Sequence, residues 1–239
     1  MLYLDYSKNS TKRLAMRKIK FQTDNYYHIF NRGVDKRNIF LDKNDYLRFL
    51  ISLREFNNIN PIESIYRLKQ LKDKEAKLLQ KHSFCSSLAS KKIPLVKIIC
   101  YSLLPNHFHL LVQQSINEGI TKFMHKLGYG YTRYFNNKHN RSGSLFQGTF
   151  KAVEIKSDGQ LQKVSCYING NSEIHNITKA TSWPWSSYMD YLNLRKGNLC
   201  NKNIVLDQFK NTKEYEKLTN IIINDSKQQK NEFKKFLLE

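Results

Sequence analysis

An α+β fold, in which helices pack on an antiparallel sheet of four strands, is predicted for this chain by three observations. Short aromatic or β-branched runs alternate with longer stretches of helical periodicity, in the order strand, helix, strand, strand, helix, strand, helix. The two central strand-like runs, "IPLVKIICYSLL" and "HFHLLVQQ", are separated only by Pro105-Asn106, which reads as a hairpin turn. No run of about 18 apolar residues exists, so the apolar segments are core elements rather than membrane spans.

Residues 1–24 read as a basic N-terminal segment without the apolar stretch and small-residue cleavage site of a secretory signal. "NYYHIFNRG" (25–33) reads as an aromatic strand ended by a glycine turn. Asp42 then opens a helix, because Tyr46, Phe49, Leu50, Leu53 and Phe56 recur at helical spacing. Residues 62–92 turn strongly charged and are expected to form a helical insert with a solvated face. After the hairpin, a second helix from Glu118 to Asn136 carries Ile120, Phe123, Met124, Leu127, Tyr131 and Tyr134 on its inner side. Gly128 and Gly130 each weaken it by about 1 kcal/mol relative to Ala, which implies close packing or a bend. "TFKAVEI" (149–155) is the last strand, and Ser157-Asp158 cap a helix through "GQLQKVSCYIN". The βαββαβ order is that of a ferredoxin-like sheet with a C-terminal helix laid on it. One domain is therefore expected over 25–195, followed by a separate helical extension over 196–239.

Charge narrows the partners. Forty Lys and Arg face twenty Asp and Glu, a net +20 spread along most of the chain, and such a surface attracts polyanions such as nucleic acid. Four cysteines stand far apart without a C-x-x-C pair, which fits a reduced, cytoplasmic chain without structural zinc.

His107 and His109 stand at i and i+2 of a strand, so both imidazoles point to one face while Phe108 points to the other. Such a pair can share one divalent metal, or one ring can sit bonded in the core and the other at the surface. On the last helix Tyr167 and Asn171 are i and i+4, with Lys163 another four back, so a hydroxyl and a carboxamide oxygen share a stripe. The competing reading is a half-exposed tyrosine, with Asn171 starting a turn after Gly170. Tyr131 and Tyr134 sit on an apolar stripe and read as core, as does His28, for which the alternative is a place facing the site; His175 has no partner at ligand spacing. Trp183, Trp185 and Tyr188 are expected to pack against the sheet rather than stack on bases.

Taken in order, "YHIFNRGVDKRNIF", "PNHFHLLV", "GYTRYFN", "SGSLFQGTFKAVEI", "YINGNS" and "WPWSSYMDYL" resemble the blocks of single-tyrosine transposases of the HUH endonuclease superfamily, REP-associated tyrosine transposases above all. The resemblance implies that His107 and His109 bind Mg²⁺ or Mn²⁺ and that Tyr167 is the nucleophile. It also implies that Asn171 completes the metal site, although many members have Asn-Pro where this chain has Asn171-Ser172. It further implies nicking and rejoining of single-stranded, hairpin-containing DNA through a 5′-phosphotyrosine, by a monomer or a homodimer, since relatives include both. Lys163, Arg141, Lys151 and Lys156 are the candidate phosphate contacts. The alternative is a DNA- or RNA-binding descendant without cleavage. An RNA-recognition module is disfavoured because the aromatic strand signature of that fold is missing.

Overall fold

The computed structural model describes residues 19–60, 65 and 92–236, with side chains described through Lys230. Nearly all of the expected insert at 62–92 and most of the basic N-terminal segment lie outside the described residues. Four strands, β1 (Tyr26–Arg32), β2 (Val96–Leu104), β3 (His107–Gln114) and β4 (Lys151–Ile155), form one sheet in the order β2-β3-β1-β4. Every neighbouring pair is antiparallel, so the sheet has the ferredoxin-like arrangement that the element order predicts. β2 ends at Leu104 and β3 begins at His107, which leaves Pro105-Asn106 as the whole turn.

Helix α1 (Lys43–Glu55) starts where Asp42 accepts hydrogen bonds from the backbone N–H groups of Asn44 and Asp45. Helix α2 (Gly119–Lys138) joins β3 to β4, and α3 (Asp158–Asn169) starts at Ser157, whose hydroxyl accepts from the Gln160 N–H. Four more follow: α4 (Asn171–Ile174), α5 (Tyr188–Tyr191), α6 (Asn203–Leu206) and the long α7 (Thr212–Phe236).

Strand alternation divides the interior into two cores, one on each face of the sheet. On one face Tyr27, Ile29, Phe108, Leu110 and Val112 meet Phe49 and Leu53 of α1 and Ile120, Phe123, Leu127 and Tyr131 of α2. Trp183 and Trp185 join this core, with the Trp185 ring stacked 4.6 Å from Tyr46. On the other face Leu111 and Ile155 meet Leu161, Cys166 and Ile168 of α3, Tyr188 and Tyr191 of α5, and Tyr215 and Ile223 of α7. The extension beyond residue 196 is thus not laid apart from the domain. Tyr215 and Ile223, two helical turns apart, fill the space over α3, and Asn169 Nδ2 donates to the Tyr215 hydroxyl at 2.8 Å. Cys100, Cys166 and Cys200 are free thiols, and no helix among the described residues is long and apolar enough to cross a membrane.

The two α2 glycines behave differently. A Cβ at Gly130 would press into the Phe56 ring, whereas one at Gly128 would meet nothing within 4 Å. Gly130→Ala is expected to destabilise the protein by about 1–3 kcal/mol through overpacking. Gly128→Ala should instead stabilise it by about 0.5–1 kcal/mol through helix propensity. Urea denaturation of the two variants measures the opposite signs.

Candidate active site

The pleat of β3 sends Phe108 and Leu110 into the first core and turns His107 and His109 to the second face, where both rings are buried. The β1–β3 register sets Arg32 opposite His107, Phe30 opposite His109 and His28 opposite Leu111, so His28 shares that face. His28 Nε2 lies 2.8 Å from His109 Nδ1, and the two rings stack at 5.1 Å. His107 Nδ1 lies 2.6 Å from Asn106 Oδ1. A carboxamide oxygen only accepts, so Nδ1 carries the proton and the Nε2 lone pair of His107 is left for a ligand.

Helix α3 lays Tyr167 over these rings, with its ring centre 6.0 Å from His109 and 6.3 Å from His28. Gly170 between α3 and α4 keeps helical angles (φ −80°, ψ −2°), and its N–H donates to Cys166 O at 2.8 Å. The helical path is therefore nearly continuous, and Asn171 stays one turn beyond Tyr167 although it begins a new element. Asn171 is fully buried. Its carboxamide faces both the Tyr167 hydroxyl and the His107 ring, yet neither Oδ1 nor Nδ2 reaches hydrogen-bond geometry with any described residue. An orphaned buried polar group costs about 1–3 kcal/mol, and a native protein that tolerates one commonly uses it for a ligand.

His175 lies four residues further along this stripe, its ring 4.9 Å from His107. The sequence reading found no partner for His175. Extending the Tyr167–Asn171 spacing by one more step would have reached it. Asn106 was also missed, and the facing role of His28 stood only as the lesser reading beside a core histidine. The first read only as a turn residue, and the second depends on strand register.

Burial dominates the electrostatics. It pushes the His28 ring down to about 3 and His109 well below the usual histidine value. His107 falls to about 3 through burial and then the nearby His175, Arg32 and Lys230, and His175 to about 4 through burial, Lys230 and Arg32. All four rings are thus neutral near pH 7, the form that binds metal. Burial raises the Tyr167 phenol and Asn171 partly offsets this, so the free protein holds the phenol protonated. The unfolded chain takes up protons at these histidines as pH drops through about 6.5 while the folded state does not, so stability falls with falling pH. Each ring adds a slope approaching about 1.4 kcal/mol per pH unit between about 6.5 and 4. Denaturation midpoints measured at pH 7, 6 and 5 should decline steadily, and a flat profile would contradict this.

The candidate DNA contacts spread around this centre. Lys163 is exposed one turn before Tyr167. Lys151 pairs with Phe30 across β1–β4 and so stands on the same sheet face as the histidines. Lys156 is exposed in the connection to α3. Arg141 is engaged elsewhere: its guanidinium donates to Asn136 Oδ1 at 2.9 Å and to Ser144 O at 3.2 Å, bracing the loop after α2. Tyr131 donates its hydroxyl to Ile39 O at 2.6 Å within the first core, and Tyr134 donates to Asp45 at 3.2 Å.

The donor set can be tested against a cation. No group of three His, Cys, Asp or Glu side chains converges for a metal among the described residues. A divalent ion would therefore take two imidazole nitrogens, from His107 and His109, and the Asn171 oxygen. The imidazole nitrogens suit a transition-metal ion such as Mn²⁺ better than Mg²⁺, and the carboxamide oxygen suits either. The orphaned Asn171 carboxamide fits such a ligand.

Residues 62–171, just under half of the chain, match the family described as "Transposase IS200 like", and the matched stretch contains His107, His109 and Tyr167 and ends on Asn171. No curated protein is significantly similar to the chain. One similar solved structure is a REP-associated tyrosine transposase bound to a REP hairpin, with 11% identity, a TM-score of 0.47, and cover of 78% of this chain and 86% of that one. Another is a tRNA(His) guanylyltransferase from Saccharomyces cerevisiae, with 10% identity, a TM-score of 0.29, and cover of 82% and 72%. Both likenesses are too slight to bear on function.

Proposed function

We propose that this protein is a transposase that cuts and rejoins single-stranded, hairpin-containing DNA with Tyr167 as its nucleophile. The observation that carries this reading is the convergence, within one chain, of the Tyr167 ring on His109 and His28 beside an unsatisfied Asn171 carboxamide. A protein that only binds DNA has no physical need for such an arrangement.

The Tyr167 oxygen attacks the scissile phosphorus, the bond to the 3′ oxygen breaks, and the strand's 5′ phosphate is left on the tyrosine. The phenol loses its proton and the departing 3′ oxygen gains one, so charge and protons balance. Rejoining runs the same bonds in reverse, with a 3′-hydroxyl as attacker, and needs no nucleotide because the phosphotyrosine ester retains the energy of the broken bond. His107, held in one tautomer by Asn106, His109, tied to His28, and Asn171 would hold Mg²⁺ or Mn²⁺. A divalent ion held there would supply neutralisation of the charge on the phosphate oxygens. The net +20 supplies sequence-independent affinity for the strand.

The test is incubation with end-labelled hairpin DNA carrying single-stranded flanks, in Mn²⁺. A protein–DNA adduct that survives denaturation, and that EDTA prevents, is the expected result. DNA binding without any adduct would leave a non-cleaving DNA-binding protein.

A further inference from the structure

Each of the two candidate ligand imidazoles is gripped at Nδ1, but by groups of different kinds. Asn106 Oδ1 lies 2.6 Å from His107 Nδ1, and His28 Nε2 lies 2.8 Å from His109 Nδ1. The carboxamide oxygen only accepts, so it dictates where His107 carries its proton. An imidazole nitrogen accepts or donates according to its own tautomer, so two arrangements of the neutral His28–His109 pair satisfy the same contact. In one, His109 Nδ1–H donates to His28 and the Nε2 lone pair of His109 is left for a ligand. In the other, His28 donates and His109 carries its proton on Nε2, where it blocks a cation. His28 is fully buried, and its Nδ1 meets no hydrogen-bond partner among the described residues.

We infer that His28 is the positioning residue for His109: it accepts the Nδ1 proton of that ring and so leaves the Nε2 lone pair for the cation shared with His107 and Asn171. The inference rests on the metal-assisted strand-transfer reading above. With both Nδ1 atoms protonated, His107 and His109 offer the same atom, the ring nitrogen furthest from its own backbone, on one face of the sheet. The β1–β3 register pairs His28 with Leu111 and Phe30 with His109, so His28 reaches His109 as a diagonal neighbour. The His109 ring is stacked 5.1 Å from His28 and 5.7 Å from Phe30, which fixes its plane as well as its proton. A residue that only filled the core would do so at lower cost as an aliphatic side chain. An imidazole whose second nitrogen goes unsatisfied is explained by what its first nitrogen does for His109.

Two measurements on the full-length chain test this. Nitrogen-15 NMR of the histidine rings in the metal-free wild type should show His109 protonated on Nδ1; a proton on Nε2 instead would overturn the inference. Mn²⁺ affinity, read from the electron paramagnetic resonance signal of the free ion, is then compared between two variants. His28→Leu fills the space without an acceptor and should weaken Mn²⁺ binding by roughly 10- to 100-fold. His28→Gln returns a carboxamide oxygen at about the reach of Nε2, as Asn106 supplies for His107, and should recover most of that affinity. Unchanged Mn²⁺ binding in His28→Leu, or an equal loss in His28→Gln, would overturn the inference. An affinity that follows the melting temperatures of the variants rather than the presence of an acceptor would overturn it too. If Mn²⁺ binding answers the substitutions as expected but the wild type forms no DNA adduct, the strand-transfer reading fails while the role of His28 stands.

Discussion

Replacing Tyr167 with phenylalanine is expected to abolish the covalent adduct, by a factor on the order of 10³ or more, while the protein stays folded and binds DNA. The change removes one oxygen and keeps a ring that lies 6.0 Å from His109, so packing on the sheet survives. Tyr167 is only half-buried and its hydroxyl meets no well-formed hydrogen bond among the described residues, so the stability cost should stay within about 1 kcal/mol. The alternative nucleophiles are poorly placed. Tyr131 is fully buried on the opposite face of the sheet, and burial raises its phenol far above the ordinary range. Denaturing gel analysis of labelled hairpin DNA checks the prediction. An adduct of wild-type yield with the phenylalanine variant would remove Tyr167 from the role.

His107→Ala and His109→Ala should both eliminate cleavage, but with different effects on stability. His107 is buried beside His175, and its loss leaves the Asn106 side chain at the edge of the hairpin turn, where water can replace it. Its stability cost should be about 1 kcal/mol or less, while stabilisation by Mn²⁺ disappears. His109 lies between His28, Phe30 and Tyr167, and its removal opens a cavity and orphans the second nitrogen of His28, whose Nδ1 already lacks a partner. A loss of about 2–4 kcal/mol is expected for His109→Ala. Thermal denaturation with and without Mn²⁺ distinguishes the two. Equal destabilisation by both changes would mean that the histidines are structural equivalents rather than ligands set on different supports.

Local patterns carried much of this into the sequence. The two N-caps, the Pro105-Asn106 turn and the side shared by His107 and His109 follow from chemistry within a few residues, and each was readable. The Tyr167–Asn171 stripe was readable because Gly170 happens to keep helical angles; another conformation there would have rotated Asn171 away. What pairing distant segments creates was not readable. His28 acquires its place only when β1 lies beside β3, and no spacing rule connects the two. Lys230 is further removed still, because α7 must pack against α3 and α4 before the Lys230 ammonium comes within 3.4 Å of the carbonyl oxygen of Ile174. Arg141 shows the converse: a cation that sequence places beside a glycine loop is used by the protein to fasten that loop.

The sheet separates two territories. The side bearing α1 and α2 contributes aromatic mass, with Phe49, Phe123 and Tyr131 at its centre, and none of the groups proposed to handle phosphate. An apolar groove of about 460 Å³ between α2 and the loop at 143–150 lies on that side too, remote from the histidines. An engineer seeking a sturdier protein therefore has one half of the molecule to redesign freely, since alterations there reach the proposed active site only through the rigidity of the strands.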